Sequence, residues 1–271
     1  MSRTIAIANQ KGGVGKSTTA INLSACLAEK GQKVLTIDID PQGNTTSGLA
    51  IDKDNQEATI YELLIGECEL ADCLVETEFD NLSLIPSDVN LAGAEIELIG
   101  LENKEYILKQ QIDNIRDQYD YIIIDCPPSL SMLTINAMTT ANTILVPIQC
   151  EYYALEGLSQ LMHTIDLVQQ RLNPDLEIEG IVFTMYDART NLSLQVVENV
   201  KNNLQQSIYK TIIPRNVRLA EAPSHGEPIV LYDTSSRGAD AYLRLTEEIL
   251  NRNKDSYKTI TKHSKIKLRS E

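Results

Sequence analysis

The 271-residue chain predicts an α/β fold in three layers, a mostly parallel twisted sheet flanked by helices. Three observations lead there. Short apolar runs that read as buried strands alternate with longer stretches of helical spacing. The first run opens through a glycine-rich turn into a helix, and a later run ends abruptly in a carboxylate. Strands joined by helical crossovers are covered on both faces, which is why these runs lack the polar alternation of a one-sided sheet.

Thr4-Ile5-Ala6-Ile7-Ala8 is the first strand, and a helix is expected from Ser17 to Lys30, stopping at Gly31. Between them lies Asn9 to Thr19, Asn-Gln-Lys-Gly-Gly-Val-Gly-Lys-Ser-Thr-Thr. Gly12, Gly13 and Gly15 let backbone N–H groups turn inward, because no Cβ blocks the dihedrals or the ligand. With Val14 and Thr18 they form a cradle at a helix N-terminus, where unpaired N–H groups and the positive dipole end favour phosphate. In such a P-loop Lys16 reaches the β and γ phosphates and the Ser17 hydroxyl ligates Mg²⁺. Position 10 is Gln where the general pattern has Gly, and a second lysine, Lys11, precedes the glycines. The competing reading is a glycine-rich turn with no ligand.

Lys33-Val34-Leu35-Thr36-Ile37 is the second strand, ending in Asp38-Ile39-Asp40-Pro41-Gln42-Gly43-Asn44. Ligands of an open parallel sheet sit at the carboxyl ends of its strands, so Asp38 and Asp40 are expected on the glycine-loop edge, sharing a face and approaching Mg²⁺. A solvated Asp-Pro turn is the alternative. Thr59 with Glu62 fits a capping box, Leu82 to Pro86 a strand, and 103–117 a helix. Tyr121-Ile122-Ile123-Ile124 then runs into Asp125-Cys126-Pro127-Pro128, the arrangement of a Walker B strand whose aspartate holds Mg²⁺. The Pro-Pro turn with Ser129 is a candidate γ-phosphate sensor. Thr143 to Ile148 and Ile178 to Thr184 are further strands, with a helix through Leu172 between them and another over 193–205. Tyr152 and Tyr153 suit either packing or a partner contact. The loop ending the strand at Thr211 to Arg218 is placed to hold an adenine through backbone groups and Asn216, and Gly238 to Arg252 is a closing helix.

Net charge is −14, which argues against a globally cationic nucleic-acid binder. The acidity is local to the body: residues 251–271 carry seven Lys/Arg against two Asp/Glu. The reading is one large α/β domain over 1–252 followed by a basic, flexible tail over 253–271. Cys26, Cys68, Cys73, Cys126 and Cys150 lack CxxC spacing and read as small core residues in a reducing compartment. His163, His225 and His263 assemble no zinc site. No signal-like or membrane-spanning run is present, so a cytoplasmic protein is expected.

On these residues the chain resembles the ParA/Soj family of deviant Walker ATPases that partition chromosomes and plasmids, over residues 2 to about 252. The motifs are Lys11-Gly-Gly-Val-Gly-Lys-Ser17, Asp38-Ile-Asp-Pro-Gln-Gly-Asn44, Ile124-Asp-Cys-Pro-Pro128, Glu151-Tyr-Tyr-Ala-Leu-Glu-Gly157 and Ile213-Pro-Arg-Asn-Val-Arg-Leu-Ala-Glu-Ala-Pro-Ser224. The resemblance implies a P-loop NTPase fold of the SIMIBI type, ATP and Mg²⁺ as cofactors, and an ATP-bound homodimer. It makes Lys11 the signature lysine reaching the other subunit's phosphates, and Asp40 the residue orienting the attacking water, beside Mg²⁺ held by Ser17 and Asp125. Pro214 and Asn216 would hold the base. It further implies slow hydrolysis stimulated by a ParB-type centromere-binding protein. Non-specific binding to double-stranded DNA, through Arg189 and Arg218, would make the protein nucleoid-associated. With the first strand starting near residue 4, no separate operator-reading domain is expected. Two alternatives share the fold. A MinD-like membrane ATPase would need an amphipathic anchor, for which the tail's apolar residues are too scattered. An electron-transfer protein like the nitrogenase iron protein would need paired cysteines at a dimer interface, and the spacing here does not match.

Overall fold

The computed structural model describes residues 2–151, 154–203 and 208–267, so the Tyr152–Tyr153 pair lies outside the described residues. The strands are β1 (Arg3–Ile7), β2 (Val34–Asp38), β3 (Val75–Glu76), β4 (Leu82–Ile85), β5 (Tyr121–Asp125), β6 (Thr143–Gln149), β7 (Glu177–Tyr186) and β8 (Ile208–Pro214). They form one sheet in the order β3-β4-β2-β5-β1-β6-β7-β8. Every pairing is parallel except that of the two-residue β3 with β4. The order steps outward from β1 in both directions, so the loop after β1 lies where the chain changes direction, the place such sheets bind ligands.

The side-chain alternation of each strand feeds two cores. Ala6, Leu35, Ile37, Ile122, Ile124 and Val146 face one side. It is covered by α3 (Ile60–Ile65), α5 (Leu91–Glu97), α6 (Ile107–Asp113), α7 (Met132–Thr140), α8 (Ala154–Arg171) and α9 (Asn191–Asn203), with α4 (Leu70–Cys73) beside them. Ile5, Ile7, Val34, Ile123 and Val182 face the other, under α1 (Lys16–Glu29), α10 (Val217–Glu221), α11 (Ile229–Tyr232) and α12 (Arg237–Lys267). The short α2 (Asn44–Gly48) follows β2. Fully burying one such Ile or Leu contributes about 1.5–3 kcal/mol.

The expected capping box is present: Thr59 N–H donates to Glu62 Oε2 at 2.8 Å, and the Thr59 hydroxyl accepts from Tyr61 N–H at 3.2 Å. The expected helix over 103–117 is broken into α6 and two 3₁₀ turns. Asn136 of α7 accepts from Leu108 N–H at 3.1 Å and donates to the Lys104 carbonyl at 2.8 Å, so a side chain takes backbone groups an unbroken helix would use itself. The closing helix does not stop at Arg252. It continues to Lys267, the chain having neither Gly nor Pro beyond Gly238.

β8 is an edge strand, and α12 closes it with side chains. Glu248 accepts from the N–H groups of Lys210 and Thr211, and Arg252 donates to the Ile208 carbonyl at 3.0 Å while stacking on Tyr209. An edge that would otherwise offer free backbone groups to another strand is thereby blocked. Cys26, Cys73 and Cys126 are fully buried in the cores, as expected of small apolar packing residues.

Candidate nucleotide-binding site

Strand register sets the site. Ile7, the last residue of β1, is level with Asp125, and Asp38 is level with Asp125 on its other side. The glycine loop and two carboxylates therefore emerge side by side from the carboxyl edge. Gly15 caps α1 at φ 88° and Gly13 adopts φ 74°, left-handed conformations that strain any side chain. No side chain caps α1, so its first-turn N–H groups are available to an anion. β7 secures the loop from below: the Thr184 hydroxyl donates to the Val14 carbonyl at 2.8 Å, and the Val14 side chain is buried.

Two adjoining cavities meet at Gly15, Thr18 and Met185. One, of about 480 Å³, is bounded by Gly12, Gly13, Lys16, Ser17, Asn44 and Pro128. The other, of about 190 Å³, is mainly apolar and bounded by Ile213, Pro214, Asn216, Leu219 and Tyr242. A polar cradle beside a narrow apolar slot matches a polyphosphate joined to a planar base. The Asn216 carboxamide oxygen accepts from Arg218 N–H at 2.8 Å, capping α10, so its NH₂ group and the backbone remain to read a base. Met185 at φ 50° is left-handed without being Gly or Asn, a strained residue placed where the two cavities join.

The charged groups are deeply placed. Lys16 is 6% exposed and donates to the Lys11 carbonyl at 3.3 Å. Burial pulls its ammonium below the ordinary range, while Asp125, Cys126 and Asp40 pull it back up. Asp125 is fully buried; burial above all, then Asp38 beside it, pushes its pKa up to about 8 against hydrogen bonds from Ser17 and Thr45. The Thr45 hydroxyl donates to Asp125 Oδ2 at 2.8 Å, whereas Oδ1 is buried without a partner. An orphaned carboxylate oxygen beside a serine hydroxyl and a phosphate cradle is what a hard, oxygen-seeking dication would satisfy, so the residues fit Mg²⁺.

Asp38 and Asp40 divide their work differently from the expectation that both approach the metal. Asp38 is saturated: it accepts from Asp40 N–H at 3.2 Å and from both the N–H and hydroxyl of Thr46 at 2.8 Å. It is a loop anchor. Asp40 is 5% exposed; its Oδ1 accepts from Gln42 N–H at 3.0 Å and its carbonyl from the Ser87 hydroxyl at 2.8 Å. The carboxylate is thus aimed by its own loop, and the backbone that carries it is held by the segment after β4.

Lys11 stands at the lip of the cradle, its side chain 36% exposed, in an ion pair with Glu151 of its own chain. Arg189 lies on the loop after β7 and Arg218 in the first turn of α10 after β8, and the ends of these two strands are joined by the Arg215 N–H bond to the Tyr186 carbonyl at 2.9 Å. Both arginines are engaged, Arg189 bidentately with Asp187 and Arg218 with Glu221 and Asp233. Sequence reading missed Thr45, Ser87 and Met185, and it quoted Glu151 within a motif without pairing it to Lys11. Thr45 and Ser87 are among the commonest hydroxyl residues and carry no motif, and Glu151 meets Lys11 only through the fold.

A parallel sheet with a glycine-loop phosphate cradle, a buried lysine and a strand-end aspartate defines a P-loop nucleotide-binding protein, with Lys11 marking the deviant Walker form. Residues 2–178 match the AAA domain family model AAA_31. The chain is 57% identical to the sporulation initiation inhibitor protein Soj of Bacillus subtilis, covering 92% of this chain and 98% of that one. It is 53% identical to the chromosome partitioning protein ParA of Myxococcus xanthus, covering 92% and 88%. Among solved structures it resembles cobyrinic acid a,c-diamide synthase from Mycobacterium smegmatis with bound ATP analogue and magnesium, at TM-score 0.84 and 38% identity, covering 94% and 97%. The chain belongs to the ParA/Soj family of chromosome-partitioning ATPases. Among the described residues, no helix is long and apolar enough to cross a membrane.

Proposed function

We propose that this protein is an ATP-dependent dimerising ATPase that binds DNA non-specifically and drives chromosome or plasmid partition, with hydrolysis stimulated by a ParB-type centromere-binding partner. The observation that carries the reading is the contrast between two lysines on one loop. Lys16 is sunk beneath the cradle at 6% exposure, while Lys11 stands at its lip with a side chain 36% exposed. A cation at the lip suits phosphates arriving on a second copy of the chain.

In this reading Lys16 and the N–H groups of residues 12–18 bind the ATP phosphates, and Pro214 with Asn216 holds the base. Ser17 and Asp125, with Asp40 near them, would hold Mg²⁺, which when bound neutralises phosphate charge. Asp40 orients the attacking water, its carboxylate held by the Gln42 N–H and its backbone carbonyl by the Ser87 hydroxyl. Residues 1–252 are the ATPase domain and 253–271 a basic appendage. Arg189 and Arg218 exchange their carboxylate partners for DNA phosphates, and dimerisation doubles the number of phosphates met, so an acidic protein can still bind a polyanion. The protein then works in the cytoplasm, on the nucleoid.

DNA binding measured with ATP, ADP and no nucleotide across a salt series tests this. Binding confined to ATP, falling steeply with salt and persisting in an Asp40→Ala protein that light scattering shows as a dimer, is expected. Equal binding without nucleotide refutes the reading.

A further inference from the structure

Residues 86–102 form an acidic, apolar ledge. Nine large apolar side chains are exposed among the described residues, and four of them fall in this stretch: Val89, Ile96, Ile99 and Leu101, at 76%, 75%, 63% and 43% exposure. They do not result from a disordered packing scheme, since Leu91, Ala94 and Leu98 of the same segment are fully buried in the core. Ile96 lies on α5, Val89 in the turn that leads into it and Ile99 in the 3₁₀ turn that follows it. The same stretch carries Asp88, Glu95, Glu97 and Glu102 and no lysine or arginine, and none of the four forms an ion pair among the described residues.

The ledge runs into a cleft of about 490 Å³ lined by Pro41, Gln42, Asp54, Glu62, Asp88 and Val89. Its lysine, Lys53, is occupied with the Gln42 carbonyl at 2.9 Å. Pro41 and Gln42 directly follow Asp40. One residue before Asp88, the Ser87 hydroxyl donates to the Asp40 carbonyl and the Ser87 N–H to the Thr46 hydroxyl, which itself holds Asp38. Asp88 accepts from Asn90 and Glu97 from Tyr61, neutral donors that leave their charge unbalanced, so apolar anchors rimmed by carboxylates without a cation complement a segment that is amphipathic and basic. Its position ties such a segment to the loop that aims Asp40.

We propose that this ledge and cleft dock a basic amphipathic segment of the partner that stimulates hydrolysis. Apolar side chains sit on Val89, Ile96 and Ile99, a lysine or arginine enters the carboxylate-lined cleft, and docking repositions Asp40 through Ser87 and Gln42. The inference rests on the reading above, in which a ParB-type protein is that partner. Ile96 and Ile99 are exposed and lie outside the nucleotide site, so the Ile96→Ser, Ile99→Ser double variant is expected to fold and to keep basal hydrolysis and DNA binding.

The experiment measures ATPase activity of wild-type and double-variant protein against increasing cognate ParB-type protein, together with photo-crosslinking from a benzoylphenylalanine placed at position 96. Loss of two apolar anchors is expected to raise the half-maximal partner concentration about 10- to 100-fold, with basal rate unchanged. The crosslink should capture the partner. Equal stimulation of variant and wild type overturns the inference while leaving the functional reading intact, and a crosslink to a second copy of this chain or to its C-terminal segment also overturns it. Absence of stimulation in the wild type refutes the functional reading itself, and the inference falls with it.

Discussion

Replacing Asp125 by Asn should stabilise the nucleotide-free protein at alkaline pH and leave it nearly unchanged at acid pH. Asp125 is fully buried beside Asp38, and its pKa stands at about 8 against an ordinary 3.8. Between those values the folded protein holds a proton that the unfolded chain has released, so the contribution of Asp125 to stability is greatest below about pH 4 and declines as pH rises toward 8. Each pH unit in that window removes up to about 1.4 kcal/mol, a ceiling near 6 kcal/mol in total. Local relaxation and water entry reduce what is realised to about 1–3 kcal/mol. Asn is nearly isosteric and its carboxamide oxygen can still accept from Thr45, so at pH 5, where Asp125 is already neutral, the substitution should cost little. At pH 8.5 the variant should melt about 2–12 °C above wild type, at roughly 2–4 °C per kcal/mol. Thermal unfolding of both proteins at the two pH values, without nucleotide or Mg²⁺, makes the comparison. A variant destabilised equally at pH 5 and pH 8.5 would refute the reasoning, because the effect would then be lost packing and not relief of a buried charge. The same substitution removes the oxygen that fits the dication, so Mg²⁺-dependent nucleotide binding should be lost at both pH values.

Ser87→Ala deletes the hydroxyl that holds the Asp40 carbonyl at 2.8 Å. Hydrolysis should slow about 10-fold with nucleotide affinity nearly unchanged, measured by single-turnover kinetics beside equilibrium binding. Glu151→Gln removes the partner of Lys11, a half-exposed ion pair of about 0–1 kcal/mol. Freeing Lys11 should lower the protein concentration at half-dimerisation in ATP by up to about 5-fold, read by light scattering. Arg189→Ala removes one cation per chain, so the slope of log K against log salt for DNA binding should fall by about 1 per site in a titration.

The apolar strand runs, the glycine loop and the Thr59–Glu62 box were legible because each depends on neighbours in sequence: an unbroken apolar run buried on both faces, positive φ at Gly13 and Gly15, a side chain reaching three residues back. Lys16, Ser17 and Asp125 were legible for the same reason, since a strand followed by a cradle or a carboxylate is a local pattern. The broken helix at 104–118 was not, because Asn136, which breaks it, belongs to another helix.

By itself, then, the sequence determined that a phosphate cradle opens from a parallel sheet and which strands end in carboxylates there. Only the tertiary structure decided what each carboxylate does. Register set Asp38 and Asp125 side by side, but Thr46 saturates Asp38 while Asp125 keeps an unpartnered oxygen. Ser87 came to aim Asp40, and Glu151 came to hold Lys11, across long stretches of chain. Hydrogen-bond satisfaction in a low-dielectric interior is settled by which groups the fold brings within about 3 Å of one another, and a linear pattern does not encode that.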